Sequence, residues 1–232
     1  MTISTQPDRK PLGEIIATSY GSFTVESYEL NSTPPLGALV TAQNVLGVVS
    51  SARTEGLGPI SARGSLEDED GSVYATYPDL QRTLRSQFTA LVVGCYEVRN
   101  ESDQSKIQNP KSKIIYSYPQ CPPTIHYKCY QATGAELAVF TERPDYIRLL
   151  LTSVDAASTN IDQVLIHLIL HAYHAHDQDR AWLATTAEYL GRQLKGQYDR
   201  LLAILKTLDA LTTPIPTEQP STLSDAVGKV KL

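Results

Sequence analysis

Four short β-type segments follow one another near the start of the chain, and close turns separate them. They are rich in Ile, Val, Thr and aromatic residues, the composition that strands favour. In the second segment, Phe23 and Val25 alternate with polar neighbours, which is the period of a half-buried strand. Four such strands within about 40 residues predict a small barrel or a Greek-key sheet and not a doubly wound fold. The segments are Glu14–Ser19, Ser22–Leu30, Ala38–Ala42 and Val45–Ala52.

Further short elements continue this pattern as far as residue 155. The run Phe88–Val98 is almost continuously apolar, which predicts a buried strand with Gly94 at a bulge or a close approach. Residues 54–73, which include the acidic run at 67–70, and residues 99–112 are predicted surface loops. The other predicted strands are Ile114–Tyr118 and His126–Gln131, and the predicted short helices are Pro78–Gln87, Thr133–Phe140 and, as helix or extended chain, Tyr146–Leu151.

Beyond residue 155 the apolar residues recur at helical spacing. Asn160, with Thr159 before it, is placed to cap a long helix that ends near His176. Asp177 or Asp179 can then cap a second helix, whose apolar stripe has a spacing of about 3.5 residues, typical of an amphipathic or coiled-coil helix. The stripe consists of Ala187, Leu190, Leu194, Tyr198, Leu201, Leu205 and Leu208.

The predicted fold class is α+β, with a small N-terminal β-barrel followed by a C-terminal helical hairpin. The barrel with short peripheral helices spans 11–155 after a flexible N-terminus at 1–10. The hairpin spans 156–211, and the Pro-containing remainder, 212–232, is predicted to be a disordered tail. Gly191 and Gly196 lie in the predicted second helix. They could mark a kink or a tight crossing of two helices, or the helix could simply tolerate two glycines without a special role.

Composition and charge exclude several classes of protein. The 232 residues carry a formal net charge of −5, which argues against a dedicated duplex-binding protein, whose affinity depends on neutralising phosphates. The three cysteines, Cys95, Cys121 and Cys129, form no Cys-x-x-Cys pair, so we expect reduced thiols and no zinc ribbon. The first residues lack a signal peptide, and no apolar run approaches the length of about 20 residues that spans a bilayer. We therefore expect a soluble, cytoplasmic protein without a membrane span.

Three histidines of the first long helix fall on one stripe. His167, His171 and His174 could coordinate a transition metal if another element supplied a fourth ligand. Apolar residues fill the rest of that helix, so the stripe is also explained as its polar face toward solvent or an interface. A pH-sensitive contact is a third interpretation. We predict no metal and no cofactor, and we keep a metal-binding regulator as an alternative function.

Motifs of catalysis and nucleotide binding are absent from the sequence. The only Gly-Lys pair, Gly228-Lys229, is not part of a P-loop, and neither G-x-G-x-x-G nor G-x-S-x-G occurs. His126 and Cys129 are three residues apart on a predicted strand, so their side chains should point to opposite faces. That spacing suits a nucleophile–base pair poorly, and we predict that the protein is not an enzyme.

The barrel half carries a series of Gly, Pro and apolar motifs over residues 11–151. They are PLGEIIATS (11–19), PPLGALVTA (34–42), VLGVVSSA (45–52), PISARG (59–64), FTALVVGCYEV (88–98) and QCPPTIHYKCYQATGAELAVF (120–140). In these motifs the chain resembles the HAS-barrel, the small β-barrel at the N-terminus of HerA-type translocases and of rotary ATP-synthase catalytic subunits. The arrangement with a short helical tail is similar to stand-alone forms found in cyanobacteria.

The resemblance implies a scaffolding module. In the translocases this barrel helps to form the hexameric ring and contacts a nuclease partner, and in ATP synthases it forms the crown that holds the subunits together. Neither role gives the barrel catalytic residues. The chain departs from the translocases after the barrel, where a helical segment replaces the RecA-like ATPase domain, so the resemblance implies no motor activity.

We therefore expect a non-enzymatic assembly or adaptor module that binds protein through the barrel surface, the helical stripe or both. The predicted interface residues on the stripe are Tyr198, Leu201, Leu205 and Leu208. The sequence leaves open whether the stripe packs on the barrel or on another chain, including a second copy in a homo-oligomer. A nucleic-acid-processing accessory factor related to HerA-type systems is the other alternative. Its basic residues would be Arg82, Arg85, Arg99, Lys111 and Lys113.

Overall fold

The computed structural model describes residues 9–58, 77–97, 113–153 and 160–213. Its strands form one antiparallel sheet in the order β2-β1-β7-β3-β4-β5-β6. An additional pairing of β2 with β5 closes six of these strands into a barrel, which confirms the predicted β-barrel, and β6 remains beside β5. The strands are β1 (Gly13–Thr18), β2 (Ser22–Ser27), β3 (Leu39–Ala42), β4 (Val45–Gly56), β5 (Leu84–Tyr96), β6 (Ile114–Ile115) and β7 (Lys128–Gln131).

The helices begin at residues whose side chains satisfy free backbone amides. Thr133 and Glu136 form a capping box at the second helix, and Asn160 and Asp179 cap the fourth and fifth, as predicted for the last two. In the described ranges no helix has the length and apolar character that crossing a bilayer requires. The helices are α1 (Leu80–Thr83), α2 (Gly134–Thr141), α3 (Asp145–Leu151), α4 (Ile161–Ala175), α5 (Arg180–Gln193) and α6 (Tyr198–Thr212).

Two predicted elements of the barrel half are corrected by strand pairing. The helix predicted over Pro78–Gln87 ends at Thr83, because the next four residues extend β5 and pair with β4 as far as Gly56. The strand predicted from His126 begins at Lys128, since His126 has a φ of 68° and departs from extended backbone. Four predicted segments lie wholly or largely outside the described residues. They are the N-terminal segment 1–10, the loops at 54–73 and 99–112, and the tail at 212–232.

The long second helix predicted in the C-terminal part is two helices, α5 and α6. The chain turns between Leu194 and Gln197, where Gly196 has a φ of 89° that L-residues rarely adopt. Gly191, in contrast, lies inside α5. The described part of 156–211 therefore contains three helices, α4, α5 and α6, where the sequence predicted a hairpin of two.

The barrel interior is filled by apolar side chains from every strand that closes it. Gly47 belongs to this interior, because a Cβ atom there would lie 2.7 Å from the Phe23 ring, so the ring occupies the space that the glycine leaves. The buried residues of this interior core are Ile15, Phe23, Val25, Ala38, Val40, Ala42, Val45, Val49, Phe88, Ala90, Val92 and Cys129.

A second core lies outside the barrel, between its β3–β4–β5 side and the helices. Along β5, Ala90 and Val92 contact the interior core, whereas Leu91 and Val93 belong to the outer core. Both faces of this strand are thus buried, which explains its nearly continuous apolar sequence. The barrel residues of the outer core are Leu39, Leu46, Val48, Leu91, Val93 and Tyr96. We call this side the covered wall.

The outward side chains of β1, β2 and β7 form the other side of the barrel, which we call the open wall. None of its described residues belongs to the outer core, and several large side chains on or beside it are exposed. The described helices of the outer core therefore pack on one side of the barrel, and the two walls have different surroundings.

Candidate interaction surface

The structure distributes the four predicted interface residues between the surface and the core. Tyr198, at the start of α6, is 71% exposed. Leu201 and Leu205 are half-buried, and Leu201 packs against the outer core. Leu208 is buried in that core, so part of the stripe stabilises the helices of its own chain. The role of the four residues in an interface remains a prediction.

A bidentate ion pair holds α6 against α4. Arg200 donates from Nε to both oxygens of Asp162, at 2.9 and 3.0 Å, and from Nη2 to Oδ1 at 2.6 Å. Two parallel N–H···O bonds fix the orientation of the two groups as well as their distance. The face of α6 that carries Leu208 is therefore held toward the core, and Tyr198 is left on the outer surface.

The histidines of the α4 stripe have different surroundings. Nε2 of His171 lies 3.0 Å from the carbonyl oxygen of Leu36, in the loop before β3, while His174 is exposed to solvent. Among the residues that the structure describes, no three His, Cys, Asp or Glu side chains are grouped as metal ligands. The stripe instead contributes to the contact between α4 and the loop before β3, where Gly37 approaches the backbone of His167 and Leu168.

A fourth histidine, His176 at the end of α4, connects three helices. The His176 ring stacks on Trp182 with 4.5 Å between ring centroids and an interplanar angle of 20°. The Thr141 hydroxyl lies 2.9 Å from His176 Nε2 and 2.7 Å from the Leu137 carbonyl. Since a carbonyl only accepts, the hydroxyl donates to Leu137, and Nε2–H donates to the hydroxyl. Burial lowers the pKa of His176 below its usual 6.5, against the opposing effect of nearby carboxylates.

Two of the three cysteines, Cys95 and Cys129, are buried in the described structure. Cys129 lies in the interior core, where burial raises its pKa to about 12, and burial also raises the pKa of Cys95. His126, which the sequence placed on the opposite face, is exposed and has its Nδ1 atom 3.5 Å from Glu14 Oε2. Cys129 and His126 therefore do not form the nucleophile–base pair that their spacing had already made doubtful.

A row of polar side chains runs around the outside of the barrel, from the outer ends of β4 and β5 onto the open wall. Arg53 lies directly opposite Gln87, Gln87 opposite Glu26, Glu26 opposite Glu14, and Glu14 opposite Lys128. Their inward neighbours Val25 and Cys129 belong to the interior core, so alternation directs the row to the outside of the barrel. Arg53 and Lys128 are exposed there, whereas Gln87 is buried. The row places charges of both signs within a few ångströms on one surface.

Both carboxylates of the row have partners within the chain. Tyr28 donates from its hydroxyl to Glu14 Oε1 at 2.7 Å, and this hydrogen bond is the main cause of the lowered pKa of Glu14. Loss of hydration and the same hydrogen bond raise the pKa of Tyr28 to about 12. Glu26 accepts from Arg85 Nη1 at 3.2 Å and from Gln87 Nε2 at 3.3 Å. These contacts offset the repulsion between two like charges directly opposite each other.

Large apolar and aromatic side chains lie beside this row. Tyr28 is 49% exposed, and Ile16, the extra residue of a bulge in β1, is 37% exposed. Ile125 and Tyr127 are exposed in the segment that leads into β7, where the Tyr127 carbonyl accepts from the Ile15 amide. Exposed aromatic residues around a polar row are the composition of protein-binding surfaces.

The structure describes three of the five basic residues proposed for nucleic-acid binding. Arg85 pairs with Glu26, Arg82 and Lys113 are exposed, and Arg99 and Lys111 lie outside the described residues. No family model matches the sequence, and no curated protein is significantly similar to it. The open wall is the surface in the described structure that best combines exposed aromatic groups, apolar groups and charges of both signs.

Proposed function

We propose that the protein is a non-enzymatic assembly or adaptor module that binds other protein surfaces chiefly through the open wall, with α6 as a second contact. The observation that carries this proposal is the contrast between the two walls. The outward apolar residues of β3, β4 and β5 are buried in a core that they share with helices of the same chain, whereas β1, β2 and β7 contribute nothing to that core. Exposed Ile16 lies on β1, and exposed Tyr28 and Tyr127 flank β2 and β7.

The physical basis of the proposed binding is the burial of Tyr28, Tyr127 and Ile16. Aromatic side chains contribute strongly to interfaces, because they bury a large area at a small cost in side-chain entropy. Glu14 and Lys128 would fix the orientation of the bound partner, since charges at an interface favour a partner whose charges are complementary. At α6 the exposed Tyr198 and the half-buried Leu201 and Leu205 offer a smaller apolar surface beside the ion pair of Arg200.

The resemblance to the HAS-barrel is consistent with such a role. In that family the barrel holds subunits of a larger assembly together, and we propose that this chain uses its barrel in the same general way without an ATPase domain. The family assignment is part of the proposal, and it is supported by the closed six-stranded antiparallel barrel.

The experiment is affinity capture from the native host, with three variants compared with the natural protein. Tyr28→Ser combined with Tyr127→Ser alters the open wall, and Tyr198→Ser alters α6. Val139→Ser, at an exposed position on α2, is the matched control. We expect specific protein partners to be lost from the open-wall variant, reduced for Tyr198→Ser and retained by the control. Capture of the same proteins by all four chains would contradict the proposal.

A further inference from the structure

We propose that two copies of this chain form a twofold-symmetric dimer through the open wall, with each Glu14 opposite Lys128 of the second copy. The proposal rests on the proposed function, because it names one partner of the same surface. It follows from the register of the barrel strands and from the order of the charges across them.

Glu14 and Lys128 lie directly opposite each other on neighbouring strands and point away from the barrel interior. Their registered pair is next to that of Gly13 and Cys129, and Cys129 is fully buried inside the barrel. The two side chains therefore carry opposite charges at the same height on the same face. Lys128 is exposed, and Glu14 is half-exposed, so both can meet another surface.

A twofold axis parallel to the strands and midway between β1 and β7 exchanges the positions of these two residues. Glu14 of each copy then faces Lys128 of the other, and a single sequence supplies two equivalent ion pairs. Stacked sheets lie about 10 Å apart and cross at about 30°, so the register is kept best close to the axis. Glu14 and Lys128 are on the two strands nearest to that axis, and their long side chains can span the gap between the sheets.

The surroundings of this pair suit a face that packs against itself. Ile16, Tyr28, Ile125 and Tyr127 provide apolar and aromatic area around the charged centre. Glu26, the next residue of the row, already accepts hydrogen bonds from Arg85 and Gln87, so it brings no uncompensated charge to the interface. The self-complementary order of charges favours a second copy, since a different partner would require no such symmetry.

Charge reversal at the two positions tests the proposal by complementation. Glu14→Lys places two lysines opposite each other in the dimer, and Lys128→Glu places two glutamates opposite each other. A mixture of the two variants restores both ion pairs, because each chain of the mixed dimer then meets its complement. Sedimentation equilibrium should show a dimer for the natural chain, at least a 10-fold weaker dimer for each variant alone, and recovery of most of the affinity in the mixture.

Lys195→Glu, between α5 and α6, is the control for the change in net charge and should leave the dimer unchanged. A natural chain that stays monomeric at about 100 µM would overturn the dimer. Dimers that survive both reversals, or variants that do not recover on mixing, would overturn this interface. A monomer that still loses captured partners when Tyr28 and Tyr127 are replaced would overturn the dimer and leave the adaptor function standing.

A second measurement does not depend on the folding of the variants. Equal amounts of ¹⁴N- and ¹⁵N-labelled natural chains are mixed and treated with a zero-length carbodiimide. The dimer predicts cross-linked peptides that join Glu14 of one isotope to Lys128 of the other. Links formed only within chains of one isotope would contradict it.

Discussion

The covered wall and the open wall belong to the same barrel, and their strands share the same interior core, but their outer faces are built differently. On the covered wall Leu91 and Val93 point toward helices, and α4 packs so closely that only a glycine fits at position 37. On the open wall the equivalent outward positions carry Glu14, Glu26 and Lys128. One barrel thus has one outer face that is buried by helices and another that carries charged side chains.

The two cores also differ in the elements that build them. The interior core is complete without any helical residue, whereas the outer core contains residues from both the strands and α2 to α6. The helical part therefore has a packing role on one side, and its stripe is largely used there. The exposed aromatic residues of the open wall, in contrast, are not packed in the outer core of the described residues.

The largest predicted contrast is the cost of removing an outward aliphatic side chain from each wall. Leu91→Ala on the covered wall should lower the free energy of unfolding by about 2–5 kcal/mol, because Leu91 is 1% exposed and its loss leaves a cavity. Ile16→Ala on the open wall should cost less than about 1 kcal/mol. Urea denaturation measures both, and equal losses would show that the walls do not differ in this way.

The second prediction concerns the contact between α4 and the loop before β3. Gly37 has a φ of 75°, and a Cβ atom there would lie 2.5 Å from the Leu168 amide nitrogen. Gly37→Ala should therefore destabilise the protein by about 1–3 kcal/mol. Gly134→Ala is the control, because nothing lies within 4 Å of its Cβ position, and it should be neutral or slightly stabilising. Similar thermal unfolding of both variants would argue against this close approach.

The third prediction compares the pH dependence of the two sides. The pKa of His176 is lowered in the folded protein, whereas in the unfolded chain it is close to 6.5. Between these two pKa values the unfolded chain therefore binds more protons than the folded protein does. The contribution of neutral His176 to the free energy of unfolding is therefore complete above pH 6.5, and it is lost as the pH falls through the lowered pKa. The groups that face this ring, Asp177, Asp179 and Glu142, oppose the shift, so the loss should begin not far below that pH.

Trp182, the only tryptophan in the sequence, reports this event directly, because it stacks on the ring. Its fluorescence should titrate below pH 6.5 in the natural protein, and the titration should be absent from His176→Gln. On the open wall, the pKa of Glu14 is lowered, so its contribution to the free energy of unfolding should be lost only below pH 4.5. A fluorescence change that persists in His176→Gln would assign the titration to another group.

The smallest predicted effect lies within the open wall. Tyr28→Phe removes the hydrogen bond to Glu14 and should raise the pKa of that carboxyl toward its usual 4.5. The free energy of unfolding should change by no more than about 0.5 kcal/mol, because the pair is at the surface. Carboxyl NMR titration measures the pKa, and an unchanged value would show that the hydrogen bond does not hold Glu14 ionised.

The sequence predicts those features of the fold that depend on local pattern. Alternation in β2, the apolar run of β5 and the caps at Asn160 and Asp179 are all readable without the structure. The extension of β5 to Leu84 was missed, because the pairing of Arg85 and Gln87 with β4 overrides the helical signal of the preceding residues. A local pattern cannot contain that long-range information.

The candidate surface was less accessible to prediction for the same reason. Glu14 and Lys128 are far apart in sequence, and only barrel closure puts them in one row. The contact of His176 with Thr141 likewise depends on helices that are distant in the chain. The apolar stripe was recognised correctly as a pattern, but the turn at Gly196 and the burial of Leu208 determine what it packs against.

Hydroxyl-radical footprinting of the tyrosines tests most directly whether the open wall is the surface through which two copies associate. The oxidation rates of Tyr28, Tyr127 and Tyr198 are compared in dilute and concentrated samples of the natural chain, with buried Tyr146 as the unreactive reference. The open-wall interface predicts that Tyr28 and Tyr127 become protected as the concentration rises, and that Lys128→Glu abolishes this protection. Protection of Tyr198 while Tyr28 and Tyr127 stay fully reactive would contradict it.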